Sequence, residues 1–234
     1  MVSPEAIDTQ PDPRLRERVD DLKLDVVRLA SLTTDAIVTG TQALLEGDLD
    51  LADMVVADDD AVDSLRHSIE DECLRLLARP GIAPADLRFV GIAIKVAHEL
   101  ERCADLMVNV AKTTWRVYPH QLDDTARRIV ERLGRQAVVQ LRVAINAFAD
   151  RDPSWAAALG DMDENIDELE KSLFRHILEC EDRPIDDATV LQSVQLALVG
   201  RHYERIGDHA VAIAQQVHYV VTGERTTNRR RHTQ

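Results

Sequence analysis

The chain has 234 residues, of which 42 are acidic and 28 are basic, and its formal net charge is −14. This balance argues against a general nucleic-acid binder, because phosphate contacts require clustered Lys and Arg. Only 3% of the residues are aromatic, which favours long helices over a sheet and predicts an all-α protein.

Three helices are predicted in the first half of the chain from apolar residues at three- and four-residue spacing. The first begins after Pro13 and ends near Gly47. The second fills "DLADMVVADDDAVDSLRHSIEDECLRLLAR" and ends before a Pro-Gly pair, which breaks a helix. The third begins near Pro84, which is tolerated in a first helical turn, and continues to about Tyr118.

The second half repeats this order. Helices are predicted from about Asp123 to Asp150, from Pro153 to about Glu181 and from about Asp186 to Thr222. The breaks between them fall at "DRDP" and "EDRPIDD". The pattern is therefore three helices followed by three helices.

Sequence matches between the halves indicate that the chain contains an internal repeat. "DAVDSL" at 60–65 matches "ENIDEL" at 164–169, an offset of 104. "ELERCAD" at 99–105 matches "HYERIGD" at 202–208, an offset of 103. The sequence therefore predicts two pseudo-symmetric three-helix bundles, a duplicated unit with six long helices.

The predicted bundles cover residues 13–119 and 120–223. The first 12 residues and the basic tail from residue 224 to 234 are expected to be disordered. No apolar run approaches the ~18 residues that a transmembrane helix needs, and the start "MVSPEAIDTQPDP" does not read as a signal peptide. A soluble, cytoplasmic protein is expected, with Cys73, Cys103 and Cys180 as reduced thiols.

Each half carries a pair of acids four residues apart on its third helix, Glu101 with Asp105 and Glu204 with Asp208. Residues at this spacing lie on one helix face. One such pair means little in a chain with 42 acids, but both pairs interrupt a stripe of apolar or small residues and both recur in the repeat. We therefore expect each pair to face a neighbouring helix.

The second helix of each half offers a matching acid pair, Asp59 with Asp63 and Asp163 with Asp167. Four carboxylates on adjoining helices repel one another unless they bind protons or cations. Oxygen ligands suit Mg²⁺, Mn²⁺, Ca²⁺ or iron. The alternative is that the acids form ordinary salt bridges with neighbouring arginines, namely Arg66, Arg102, Arg201 and Arg205.

Other chemistry is hard to find in the sequence. No His follows a Glu by three residues, which removes support for a di-iron bundle of the ferritin kind. The chain has no Gly-rich phosphate loop, no Gly-x-Ser-x-Gly and no His-Glu-x-x-His. A binding or regulatory protein is therefore favoured over an enzyme.

The motifs "ELERCADLMVNVAK" and "HYERIGDHAVAIAQQV", each preceded by an Asp-x-x-x-Asp helix, together with "DLR" at 86–88, resemble the PhoU family of bacterial phosphate-signalling regulators. The resemblance covers about residues 14–223. It implies a PhoU-like pair of bundles whose acid motifs bind metal ions, namely iron, zinc, Mn or Mg. Carried over by position, the implied metal ligands are Asp59, Asp63, Glu101, Asp105, Asp163, Asp167, Glu204 and Asp208, with Asn109 as an extra ligand of the first site.

The resemblance also implies a non-enzymatic function. PhoU-like proteins look like adaptors between a phosphate ABC transporter and a sensor histidine kinase, and they keep the phosphate-starvation response off when phosphate is plentiful. The implied partners are the transporter ATPase, the kinase and a second copy of the chain in a homodimer, with no nucleic acid and with membrane contact only through partners. The rival hypotheses are a metal-storage or metal-dependent bundle enzyme and a helical adaptor without metal.

Overall fold

The computed structural model describes residues 13–179 and 186–224. All regular structure in this part of the chain is helical, as predicted. The six helices are α1 (Pro13–Glu46), α2 (Leu49–Leu77), α3 (Pro84–Val117), α4 (Asp124–Asp150), α5 (Trp155–Leu178) and α6 (Asp187–Thr222). The termini that we expected to be disordered, apart from Glu224, and Cys180 lie outside the described residues.

Three aspartates cap the N-terminal ends of helices. The side chain of Asp48 accepts a hydrogen bond from the Leu51 N–H, that of Asp123 accepts from the Ala126 N–H, and that of Asp186 accepts from the Thr189 N–H. Each aspartate thus satisfies one of the N–H groups that have no partner inside the helix. The starts of α2, α4 and α6 are therefore set by residues of their own segments.

Within each half, the three helices pack against one another as a bundle. The halves are joined where α3 packs on α6 and α1 packs on α4. Helices α3 and α6 run antiparallel, since Thr113 Oγ1 donates to Gln195 Oε1 near one end and His209 Nδ1 lies 2.6 Å from Glu99 Oε2 towards the other. The two predicted bundles therefore share an extended interface.

The apolar core is continuous across this interface. Tyr203 of α6 is fully buried, and its hydroxyl lies 2.6 Å from Thr41 Oγ1 of α1. Thr41 in turn lies against Gly134 of α4, where a Cβ atom would come within 2.6 Å of Thr41 Oγ1. Three helices from both halves meet at this point, so the packing of one half depends on the other.

Among the described residues, none of the helices combines the length and the apolar character that crossing a membrane requires.

Candidate metal centres

The first carboxylate cluster lies between α2 and α3. Burial raises the pKa of Asp59, and the negative charges of Asp105, Asp63 and Glu101 raise it further, while Lys112 lowers it. These effects require all four carboxylates to lie near one another. The structure thus brings together the four residues that the repeat predicted for this half.

Cations border the first cluster without neutralising it fully. Arg102 Nη1 lies 3.4 Å from Asp105 Oδ2, which is one of the salt bridges that the alternative interpretation predicts. Glu101 Oε2 is buried and accepts no hydrogen bond, since His98 Nδ1 and Arg102 Nε are 3.7 Å and 3.8 Å away. A buried carboxylate oxygen without a donor is costly unless a proton or a cation reaches it.

Asn109, the proposed extra ligand, is exposed one turn beyond Asp105. Its side-chain nitrogen donates to the backbone carbonyl of Asp105 at 2.9 Å. This hydrogen bond occupies the amide nitrogen and leaves the amide oxygen as the only atom with which Asn109 can ligate a metal.

The second cluster lies between α5 and α6 and is more deeply buried. Only 7% of the surface of Glu204 is exposed. Burial raises its pKa, with further increases from Asp208, Glu170 and Asp167 that outweigh the opposite effect of Arg201. Glu204 Oε1 lies 2.8 Å from Arg201 Nη1, whereas Oε2 is buried and accepts no hydrogen bond.

Glu170 belongs to this cluster, although our reading of the sequence missed it. Its pKa is raised by burial and by Asp167 and Asp208, and Arg201 lowers it. The signal was present, because Glu170 follows Asp163 by seven residues and Asp167 by three, which places all three on one face of α5. The repeat does not reveal it, because the residue of the first half that corresponds to Glu170 is not an acid.

Asp163 lies deeper along the same helix pair, against Gly207 of α6. A Cβ atom on Gly207 would come within 2.8 Å of Asp163 Oδ1 and 2.9 Å of Gln140 Oε1. Gln140 of α4 is fully buried, and neither atom of its amide makes a hydrogen bond. The second cluster therefore ends in a buried polar amide that the sequence did not reveal as part of a site.

The two clusters differ at positions that the repeat relates. At an offset of 104, Arg66 stands where the second half has Glu170, and Ala36 stands where it has Gln140. Arg66 is turned towards its own helix, with Nη1 2.8 Å from Glu70 Oε2. The first cluster therefore has one carboxylate fewer than the second, and a guanidinium stands at the corresponding position.

The donor chemistry of both clusters fits a hard or intermediate cation, since the donors are carboxylate oxygens with pKa values raised by burial and mutual repulsion. Within residues 13–179 and 186–224, however, no three His, Cys, Asp or Glu side chains are placed so that they could hold one metal ion together. The carboxylates are gathered on facing helices without forming a closed ligand set. Metal binding stays a prediction.

Three histidines flank the motifs, namely His98, His202 and His209. His98 borders the first cluster, with Nδ1 3.7 Å from Glu101 Oε2, and the other two have different surroundings. His209 pairs with Glu99 of α3 across the interface between the halves, at 2.6 Å. Burial, Arg205 and Arg116 lower the pKa of His202. Cys73 and Cys103 are buried free thiols, and burial raises the pKa of both.

Comparison with known proteins gives consistent results. A family model described as the PhoU domain matches twice, over residues 26–114 and 130–217. The "Phosphate-specific transport system accessory protein PhoU homolog 1" of Mycobacterium tuberculosis is 33% identical over 208 residues, covering 88% of this chain and 92% of that protein. The PhoU homolog of Caulobacter vibrioides is 30% identical over 214 residues, covering 92% of each.

Solved structures show the same fold. The crystal structure of the phosphate transport system regulatory protein PhoU from Streptococcus pneumoniae has a TM-score of 0.81 at 25% identity, covering 91% of this chain and 99% of that chain. That of PhoU from Pseudomonas aeruginosa has a TM-score of 0.81 at 27% identity, covering 89% and 99%. The similarity spans both halves in each case.

Proposed function

The chain belongs to the PhoU family, and on this premise we propose that it is a cytoplasmic, non-enzymatic, metal-binding regulator of phosphate uptake and of the phosphate-starvation response. Its relatives carry names that describe an accessory or regulatory protein of phosphate transport. The observation that supports metal binding most strongly is Glu204, a buried carboxylate with one oxygen that accepts no hydrogen bond, beside three further carboxylates.

The second cluster is the stronger metal centre in this proposal. It has five carboxylates, namely Asp163, Asp167, Glu170, Glu204 and Asp208. Arg201 and Lys171 border it, and both side chains are more than half exposed, Arg201 at 56% and Lys171 at 58%. An exposed arginine three residues from its partner can change rotamer and release Glu204 at little cost. The carboxylates would then turn towards one ion across the α5 and α6 interface.

A bound cation would also stabilise the fold. The helices of each cluster are held close by apolar packing while their carboxylates repel one another, so a cation replaces a repulsion by an attraction. Metal occupancy would thereby fix the relative position of α5 and α6, and of α2 and α3 when the first cluster is filled. The surfaces of these helices are what a partner protein would meet.

The regulatory role is that of an adaptor. We propose that the chain contacts the ATPase of a phosphate ABC transporter and a sensor histidine kinase, and that it holds the starvation response off when phosphate is abundant. A strongly acidic helical surface suits docking to basic patches on partner domains, because complementary charge speeds association and selects the partner. A homodimer is part of the same proposal.

Deletion of the gene in the source organism tests the regulatory role. Expression of phosphate-starvation genes in high phosphate should rise in the deletion strain and return to low levels with the wild-type gene. Complementation with Glu204→Gln/Asp208→Asn separates the two parts of the proposal. If this variant represses fully, metal at the second cluster is not needed for regulation, and if deletion has no effect, the regulatory role is wrong.

A further inference from the structure

A groove lies between the first turns of α3 and the last turns of α6, outside both carboxylate clusters. Its volume is about 570 Å³. The residues that shape it are Arg88, Gly91, Ile92 and Lys95 on α3 and Tyr219 and Val220 on α6. Because α3 and α6 run antiparallel here, the groove is linear and follows the two helix axes.

Two cations stand along the α3 edge of the groove. Arg88 and Lys95 are exposed, and neither forms a hydrogen bond or ion pair with the described part of the chain. Their spacing of seven residues corresponds to about 10.5 Å along a helix. Two unpaired cations on one face of a protein with a net charge of −14 favour an occupant that carries negative charge at two separate points.

The groove continues past Arg88 into a smaller hollow of about 190 Å³, which Arg151 lines together with Phe89. The guanidinium of Arg151 lies over the Phe89 ring, 4.4 Å from its centroid, and 3.6 Å from Asp86 Oδ1. A third cation thus borders the adjoining hollow, although it is paired with Asp86. The whole feature suits a long occupant better than a compact one.

Gly91 forms the floor between the two cations. It lies inside the 34-residue helix α3, where glycine is less favourable than alanine, and a Cβ atom added to it would meet nothing within 4 Å. No contact within the described residues therefore requires glycine at this position. Its effect is to leave room for another backbone to approach α3.

The repeat shows that the fold does not require these residues. At the offset of 103, Leu191, Val194 and Leu198 of α6 stand where α3 has Arg88, Gly91 and Lys95, and all three are exposed. The two cations and the glycine are thus specific to the groove at this end of the helix pair.

We propose that this groove binds an acidic amphipathic helix of a partner protein. Two carboxylates seven residues apart on such a helix have the same spacing of about 10.5 Å as Arg88 and Lys95. Apolar side chains between these carboxylates would pack on Ile92 and Val220, and the helix would come nearest to α3 at Gly91. A small anion such as inorganic phosphate would engage one cation and leave the apolar floor uncovered.

A synthetic helical peptide of about five turns tests the proposal directly. It carries two Glu seven residues apart with Leu at the third and fourth positions after the first Glu, and its binding to the full chain is followed by fluorescence anisotropy. Saturable binding to the wild type is expected. Arg88→Glu/Lys95→Glu and Gly91→Leu should each weaken it by about tenfold or more, since one removes the charge complementarity and the other fills the floor.

Matched controls separate the groove from general charge and stability. Arg132→Glu/Arg142→Glu on α4 makes the same charge change, and Gly160→Leu in α5 places a side chain where an added Cβ also meets nothing within 4 Å. Both should bind the peptide like the wild type, and a peptide with Lys in place of Glu should regain affinity for Arg88→Glu/Lys95→Glu.

Four outcomes would overturn the proposal. One is that the wild type shows no saturable peptide binding, and another is that the control variants lose as much affinity as the groove variants. The others are that the Lys peptide fails to bind Arg88→Glu/Lys95→Glu more tightly, and that inorganic phosphate displaces the Glu peptide at constant ionic strength. The last would identify the groove as a small-anion site. The metal proposal is untouched by any of them, because no carboxylate of either cluster lines the groove.

Discussion

Glu204 is the most informative residue of the second cluster, because its carboxylate is buried. It retains one ion pair, to Arg201, and its other oxygen accepts no hydrogen bond. Burial and Asp208 raise its pKa above the ordinary value of 4.5. A raised pKa means that the folded state holds the proton more tightly than the unfolded state, so ionisation of Glu204 opposes folding of the metal-free protein.

The pH dependence of stability follows from this sign. The proton on Glu204 stabilises the folded state fully below the unfolded-state pKa near 4.5. This stabilisation is lost as pH rises through the higher pKa of the folded state. In chelator-treated protein, Glu204→Gln should therefore raise the free energy of unfolding at neutral pH by about 1 kcal/mol. Urea unfolding across the pH range should show this gain disappearing as pH falls towards 4.5.

Glu168→Gln is the matched control on the same pair of helices. Glu168 is exposed, and the hydrogen bond and charge of Lys171 lower its pKa, so its neutralisation should not stabilise the protein at neutral pH. A destabilised Glu204→Gln protein under metal-free conditions would mean that the Arg201 pair outweighs burial, and it would contradict the raised pKa of Glu204.

The difference between Arg66 and Glu170 supports a second prediction at the residue scale. Glu170→Arg should remove Mn²⁺ binding from the second cluster, because it adds a cation and takes away a ligand. Arg66→Glu should strengthen Mn²⁺ binding at the first cluster, since it gives that half the carboxylate that its repeat partner has. Isothermal titration calorimetry with Mn²⁺ measures the affinity of both variants. If Glu170→Arg does not weaken binding and Arg66→Glu does not strengthen it, the two positions are not equivalent.

Sequence reasoning identified the residues that the repeat duplicates and missed those that differ between the halves. The eight acids of the two motifs could be matched by position alone. The structure groups seven of them in the two clusters and places the eighth, Asp163, against Gly207 of the facing helix. Glu170 and Gln140 could not be found in this way, because Arg66 and Ala36 replace them in the first half. Burial of Gln140 is a consequence of three-dimensional packing, which residue spacing does not reveal, whereas the ion pair of Arg201 with Glu204 joins residues three apart on one helix and was named from the sequence as an alternative.

At the scale of helices, the positions of the helix ends could be predicted from local sequence signals, whereas the contacts between helices could not. Asp48, Asp123 and Asp186 satisfy helix N–H groups from within their own segments, so their positions were readable in the sequence. The close approach of α1 and α4 at Gly134 depends on Thr41, which is more than ninety residues away. No pattern along the chain links these two positions.

Gly134→Ala tests the importance of this contact. The added Cβ would lie 2.6 Å from Thr41 Oγ1 and 2.7 Å from Thr41 Cγ2, and the hydroxyl of Thr41 is already engaged by Ile37 O and the Tyr203 hydroxyl. We expect a loss of about 1–3 kcal/mol in the free energy of unfolding, measured in urea.

Gly160→Ala provides the comparison, because an added Cβ there meets nothing within 4 Å. It should leave stability unchanged or raise it by about 0.5–1 kcal/mol, as replacement of a helical glycine usually does. Equal stability of the two variants would contradict a tight α1 and α4 contact.

At the scale of the whole molecule, a duplicated unit has produced two unequal halves around one core. The shared interface at Tyr203 and Thr41 couples the halves mechanically. The second cluster has five carboxylates and the first has four, with Arg66 at the position that corresponds to Glu170. If both clusters bind cations, as we propose, their unequal carboxylate sets predict unequal affinities.

Metal content is the measurement that tests this account most directly. Wild type and Glu204→Gln/Asp208→Asn are reconstituted with iron, zinc or Mn²⁺, dialysed exhaustively and analysed by inductively coupled plasma mass spectrometry, with thermal unfolding recorded on the same samples. We expect the wild type to retain metal and to unfold at a higher temperature with metal than without it. The variant should lose the metal of the second cluster and the stabilisation that this metal gives. Equal metal content and equal stabilisation in the two proteins would contradict this account.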